Sequence, residues 1–299
     1  MKLLLLYTLS IIIVMGSSTY HMAESNPFLR NDKLSDITWA HAVNSQEHLH
    51  DVLNSDIHFI EADIVLGQVD GNADNQNKIP IMAHPPATTS DISLESFLTQ
   101  IQVYNNAAEN QKVKGLKLDF KSISALETSI SIINDVYDMK TFSTWINADI
   151  LPGPVNNTET IPVDPERFFE AISQIGPAVL SIGWTTKWGE SSTDGCYTEQ
   201  QVNQMIRVIK ENGIDQNGNS ITFPVRAGIA ANSLKQLMYL YSSLKDSNNV
   251  TFTIWSSIND AVNVINLRKF IFAVGLDKVY IDVPEDLKNQ LNINGISLP

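Results

Sequence analysis

The chain has 299 residues, 43% of them hydrophobic, with 33 acidic and 20 basic side chains and a formal charge of −13. That length and apolar content suffice for a sizeable core. The acidic balance excludes nucleic acid or an anionic membrane as the main partner, since both demand clustered Lys and Arg, and it is compatible with a divalent cation.

The first residues, MKLLLLYTLSIIIVMGSS, set one Lys before an apolar run from Leu3 to Met15 and then small residues. This pattern predicts a secretory signal peptide over residues 1–18, cleaved near Gly16 to Ser18, and an extracellular mature chain over 19–299. The run falls short of the roughly 20 residues a membrane anchor needs, and no later stretch supplies a transmembrane segment. Sequons at Asn156 and Asn249 fit export and predict glycosylated surface loops. The single cysteine, Cys196, allows no intramolecular disulfide, so stability must come from the core.

Short runs rich in Ile, Val and aromatics follow: 37–43, 58–66, 115–121, 143–151, 178–184, 222–229, 250–256 and 278–283. Near-continuous apolar runs of this kind read as parallel strands covered on both faces. Helical patterns separate them. Ile123, Leu126, Ile130, Ile133 and Tyr137 form one stripe over 122–137. Asp164-Pro165 reads as an N-cap with proline at the first helical position. Thr198 to Gln201 reads as a capping box, and Gly213 as the end of that helix. Further helices are predicted around Leu234–Tyr241, from about Asn259 to Val274, and from Pro284 to Leu291. Eight strands alternating with helices predict a single (β/α)8 TIM barrel. An open doubly wound sheet is second, because no Gly-rich phosphate loop follows the first strand. The run IPIMAHPP (79–86) reads as an excursion above the barrel.

In FIEADIVLG (59–67), Glu61 and Asp63 interrupt an apolar strand. Residues two apart on a strand share a face, so these carboxylates lie side by side and raise each other's pKa unless a cation separates them. In a barrel such side chains gather at the carboxyl ends of the strands. There the sequence sets His41 and Asn44 after the first strand, Glu61 and Asp63 on the second, and His84 on the excursion. Lys117, Asp119 and Lys121 share one parity on the third. Asn147 and Asp149, then Trp184, Arg226, Trp255 and Asp282, follow on the remaining strands as pocket candidates with Asn44 and Lys117. Glu61, Asp63 and Asp119 are candidate ligands of one Mg²⁺ or Ca²⁺, because hard oxygen donors without cysteine favour those ions. His41 and His84 are candidate acid and base, and Lys121 a candidate to neutralise an anionic oxygen.

WAHAVNS (39–45), FIEAD (59–63), PIMAHPP (80–86), GLKLDFK (115–121), WINADILPGP (145–154) and LSIGWTT (180–186) closely resemble the menorin family. That family is similar to the phospholipase-C-like phosphodiesterase barrels, among them the glycerophosphodiester phosphodiesterases and the venom sphingomyelinase D enzymes. The resemblance implies catalytic histidines at His41 and His84, metal ligands at Glu61, Asp63 and Asp119, and a site lysine at Lys121. It also implies a phosphodiester substrate, either a small molecule or a lipid headgroup. Two features depart from the pattern: Ala42 stands where the glycerophosphodiester enzymes carry Arg, and one cysteine cannot form the sphingomyelinase D disulfide. The alternative is a non-catalytic extracellular binding or signalling protein that uses the barrel as a scaffold for a protein partner.

Overall fold

A computed structural model describes residues 33–71, 77–108, 113–155, 160–189, 193–216 and 218–293. The Leu3–Met15 run and the Asn156 sequon lie outside these residues. The elements run β1 (Trp39–Ala40), α1 (Gln46–Leu53), β2 (Phe59–Val69), β3 (Ile79–Met82), β4 (Thr89–Ser90) and α2 (Leu94–Ala107). Next come β5 (Gly115–Phe120), α3 (Ile123–Val136), β6 (Thr144–Pro152), α4 (Pro165–Ile172), β7 (Val179–Thr185) and α5 (Glu199–Glu211). The chain continues through β8 (Ser220–Arg226), α6 (Ala227–Ala231), α7 (Leu234–Leu244), β9 (Asn249–Trp255), α8 (Val264–Val274), β10 (Val279–Asp282) and α9 (Glu285–Leu291).

Eight strands pair in parallel in the order β1-β2-β5-β6-β7-β8-β9-β10 and curl into a nearly closed (β/α)8 barrel. Among the described residues no backbone pairing joins β10 to β1; side chains span that seam, with the Trp39 and Tyr280 rings 5.9 Å apart. The excursion is a real addition to the barrel. β3 runs antiparallel to the outer half of β2, and β4 pairs with Gln68 and Val69 at its tip.

Strand alternation divides the side chains into two layers. Ile60, Ala62 and Ile64 of β2, Leu116 and Leu118 of β5 and Ile146 and Ala148 of β6 are buried with Phe97, Leu126, Ile133 and Phe168 of the surrounding helices. The other parity points into the barrel. Its lowest level is an aromatic plug of Trp39, Phe59, Trp145 and Tyr280, with the Trp145 and Tyr280 centroids 4.7 Å apart. Gly115 makes room for it, since a β-carbon there would lie 2.5 Å from the Phe59 ring. Each such buried aromatic contributes on the order of 2–3 kcal/mol of transfer free energy. Above the plug the interior turns polar, with buried Glu61, Lys117, Asn147, Ser181, Thr222 and Thr253. The plug seals the amino end, so polar chemistry is reached from the carboxyl end.

Local signals account for the helix starts. Ser122 and Asp164 accept from the N–H groups of Ala125 and Arg167, and Thr198 and Gln201 close the capping box. Three boundaries differ from the sequence expectation. The sixth barrel strand ends at Arg226, where Ala227–Ala231 turns into a short helix. The helix expected from Asn259 starts at Val264, capped by Asn263, because Asn259 adopts a positive φ of 67° within a loop. Asn249 opens β9 rather than lying in a loop, although its side chain is exposed. No helix among the described residues is long and apolar enough to cross a membrane.

Candidate metal centre and its surroundings

Glu61 and Asp63 leave β2 on the inward face, and Asp119 sits level with Asp63 on β5 in the strand register. One carboxylate oxygen from each of the three lies within 4.8 Å of the others. Glu61 and Asp63 are buried, at 1% and 3% exposure.

The β1–α1 turn holds the first two. Ala42 takes a positive φ of 53°, which costs a non-glycine residue about 1–2 kcal/mol and aims its N–H at Glu61 Oε2, 2.7 Å away. Val43 N–H donates to the Glu61 carbonyl at 2.9 Å. Asn44 clamps Asp63 twice: its Nδ2 donates to Oδ2 at 2.8 Å, and its Oδ1 accepts from the Asp63 N–H at 2.9 Å. Asp119 accepts from Asn147 Nδ2 at 2.7 Å, and Asn147 Oδ1 accepts from Ser181 at 2.6 Å.

Lys121 follows β5, with its N–H donating to the Ile64 carbonyl. Its Nζ stands 2.7 Å from Asp63 Oδ1 and 2.6 Å from Asp119 Oδ2. Burial opposes its charge, but Asp119, Asp63 and Glu61 outweigh burial and raise its pKa. Burial alone would raise Asp119; Lys121 and then Lys117 overcome it and hold Asp119 below the ordinary carboxylate range. Glu61 goes the other way. Burial raises it, His41 counters, and Asp63 adds to the rise. The acidic cluster therefore already holds a cation of the chain itself, placed between Asp63 and Asp119.

His41 Nδ1 lies 3.0 Å from Asp282 Oδ2 and 3.6 Å from Glu61 Oε2. Burial works against its charge, but Glu61 and then the Asp282 hydrogen bond push it up to about 9. Three hard oxygen ligands without sulfur fit a Mg²⁺- or Ca²⁺-type ion. The fit has one condition. Lys121 must share Asp63 and Asp119 with the ion or shift off them.

The menorin N-terminal domain model matches residues 33–288. The chain belongs to the menorin family. It is 36% identical over 264 residues to human protein FAM151B, covering 86% of this chain and 88% of the human protein. Two solved structures share 13% and 10% identity with it. One, from Sinorhizobium meliloti 1021, is described as a probable tagatose 6 phosphate kinase, with a TM-score of 0.41 over 83% of this chain and 64% of that one. The other is the N-terminal domain of a protein named for an aldolase, from Bacteroides vulgatus, with a TM-score of 0.44 over 88% and 82%.

The remaining candidates of this menorin barrel divide by position. His84 follows β3 one residue beyond Ala83, whose N–H donates to the Asp63 carbonyl. Its side chain is exposed and its Nδ1–H donates to the Pro85 carbonyl at 2.7 Å. Lys117 lies inside the barrel, level with Glu61 in the strand register. Arg226 and Trp255 share the mouth, but Arg226 is committed: Nε and a terminal nitrogen each donate to Asp260 at 2.8 Å, and its guanidinium lies 4.9 Å from the Trp255 ring. Trp184 does not line the interior. It packs against Tyr197 and Phe223 in the helix-facing layer, because it has the opposite parity to Ser181 and Gly183. Sequence reasoning missed Asp260 and Trp188, which tie the 256–263 loop down. Trp188 Nε1 donates to the Ala261 carbonyl at 3.0 Å.

Proposed function

We propose that this menorin-family barrel is a divalent-cation-dependent phosphodiesterase that is exported and acts on a phosphodiester small molecule or lipid headgroup. The observation that carries this reading is the convergence of Glu61, Asp63 and Asp119 within 4.8 Å, with His41 and Lys121 in contact with them. A bound Mg²⁺ or Ca²⁺ would supply Lewis-acid polarisation of a phosphate oxygen. The chain's own residues do the rest. Lys121 neutralises charge that develops on a non-bridging oxygen. His41 and His84 each engage Nδ1, with Asp282 and with the Pro85 carbonyl, which leaves both Nε2 atoms to exchange protons with the attacking and leaving oxygens. Export rests on the Leu3–Met15 run, and N-terminal sequencing of protein from culture medium tests it.

One observation favours a second reading. Lys121 already balances Asp63 and Asp119, so the barrel needs no metal to satisfy them and would serve as a scaffold for a ligand or an extracellular protein partner. Incubation with a panel of phosphodiester lipids and glycerophosphodiesters, with Mg²⁺ or with chelator, separates the two. The phosphodiesterase reading expects metal-dependent turnover, lowered about 10²- to 10⁴-fold in His41→Asn. No turnover by folded, metal-treated protein across the panel leaves the scaffold.

A further inference from the structure

Around the mouth of the barrel the carboxylates have donors. Glu61 accepts from Ala42, Asp63 from Asn44 and Lys121, Asp119 from Asn147 and Lys121. Asp282 faces His41, and Asp260 faces Arg226 and Ser257. Asp149 is the exception. Among the described residues its carboxylate has no hydrogen bond and no ion pair.

Its position is not peripheral. Asn147 registers with Asp119 across the β5–β6 pair, and Asp149 stands two residues further along the same inward face. That spacing sets its Cα about 7–8 Å diagonally from that of Asp119. Three features set the place of its carboxylate. Asp149 registers with Gly183 on β7, where a β-carbon would lie 2.8 Å from Asp149 Oδ1 and 2.9 Å from the Pro224 ring. The β6–β7 register shifts between Asp149 and Leu151, a bulge of the kind that re-aims a side chain. The pairing of β7 with β8 stops at Ser181 and Thr222, below this level.

We propose, building on the phosphodiesterase reading, that Asp149 is the proton acceptor of the site. As the attacking oxygen bonds to phosphorus its O–H bond breaks, and the proton passes to the Asp149 carboxylate. The bond from phosphorus to the leaving oxygen breaks with its electron pair on that oxygen, which takes a proton from a histidine. Asp149 then returns its proton to water, and the histidine regains one from water. This moves the accepting role off the histidine pair.

The electrostatics agree with the geometry. Burial and then Asp119 push Asp149 up to about 7, against the pull of Lys121 and Lys117. Among the described residues the charge of Asp149 also acts on Tyr197, ahead of α5. A carboxylate poised near neutrality accepts a proton readily, and its neighbour Asp119 is held low, so two adjacent carboxylates are pushed apart into different tasks.

The test combines pH–rate profiles of Mg²⁺-loaded parent, Asp149→Asn and His84→Asn with ¹³C NMR titration of the Asp149 carboxyl in the parent and calorimetric Mg²⁺ binding. Expected are a parent profile with an acid limb that rises with pH, loss of that limb in Asp149→Asn with a fall of about 10²-fold or more, and retention of the limb in His84→Asn. Mg²⁺ affinity should change less than about threefold in Asp149→Asn, and in the metal-free parent the carboxyl should titrate well above the ordinary value of about 4. A limb that survives in Asp149→Asn, or vanishes only in His84→Asn, overturns the proposal. If the parent turns over nothing, the phosphodiesterase reading fails by itself; an ordinary titration or a tenfold loss of Mg²⁺ affinity would then remove Asp149 independently.

Discussion

The imidazole Nδ1 of His41 lies 3.0 Å from Oδ2 of Asp282, and this contact joins the first strand of the barrel to the last. With no backbone pairing across that seam among the described residues, the pair helps close the wall as well as orient the ring. His41 is raised from 6.5 to about 9 in the folded state, so its stabilisation is complete below about pH 6.5 and is lost as pH rises through 9. In chelator, the melting temperature of the parent should fall across that window relative to Asp282→Asn. The side chain is half exposed, so screening limits the difference to on the order of 2 °C. Parallel pH profiles of the two proteins would show that the contact carries no charge.

Lys121→Met should expose the repulsion that the ammonium now relieves. Without metal the variant loses about 2–4 kcal/mol, because two shielded carboxylates are left facing each other. Millimolar Mg²⁺ should restore most of that and stabilise the variant more than it does the parent, since the competing cation is gone. Urea melts with and without the ion check both statements.

Gly115→Ala tests the plug. The added methyl meets the Phe59 ring, which is hemmed in by Trp39 and Trp145 at 4.8 and 5.1 Å and cannot withdraw. A loss of about 1–3 kcal/mol is expected, with metal affinity in the folded fraction unchanged. An unchanged urea midpoint would mean that the plug repacks freely.

Arg226→Ala should behave as a structural change. Its guanidinium is held by Asp260, at 11% and 4% side-chain exposure, so truncation strands a buried carboxylate and costs about 3 kcal/mol. KM for any phosphodiester should move little compared with stability. A large rise in KM at unchanged stability would return Arg226 to the substrate.

The barrel was legible because burial on both faces leaves near-continuous apolar runs, and the two-residue period then placed Glu61, Asp63, Lys117 and Asp119 on one face. The same period, applied to β7, places Trp184 with the opposite set from Ser181, facing the helices. Helices α1 and α2 carry readable signals, Ser45 and Ser93 as caps and a Leu94, Phe97, Leu98, Ile101 stripe, that strand-led reasoning passed over. What the sequence hides is partner choice. Nothing local says that Asp260 will engage Arg226 or that Lys121 will settle between two aspartates. That second fact reverses one expectation. Three bare carboxylates should repel, and removing one should stabilise the empty site. Asp119 is instead held low by Lys121, so Asp119→Asn should destabilise the metal-free protein.

Glu61 is the carboxylate whose pKa is raised, and it gives the most direct test of the metal site. The measurement is the melting temperature of chelator-treated parent and Glu61→Gln as Mg²⁺ or Ca²⁺ is added. A cation bound only to the folded state stabilises the parent by about 2.7 kcal/mol at a hundredfold excess over Kd. The account predicts a saturating rise in the parent. It predicts a metal-free Glu61→Gln at least as stable as the parent, with most of the rise gone. An equal rise in both proteins, or none in the parent at millimolar ion, would contradict a cation held by Glu61, Asp63 and Asp119.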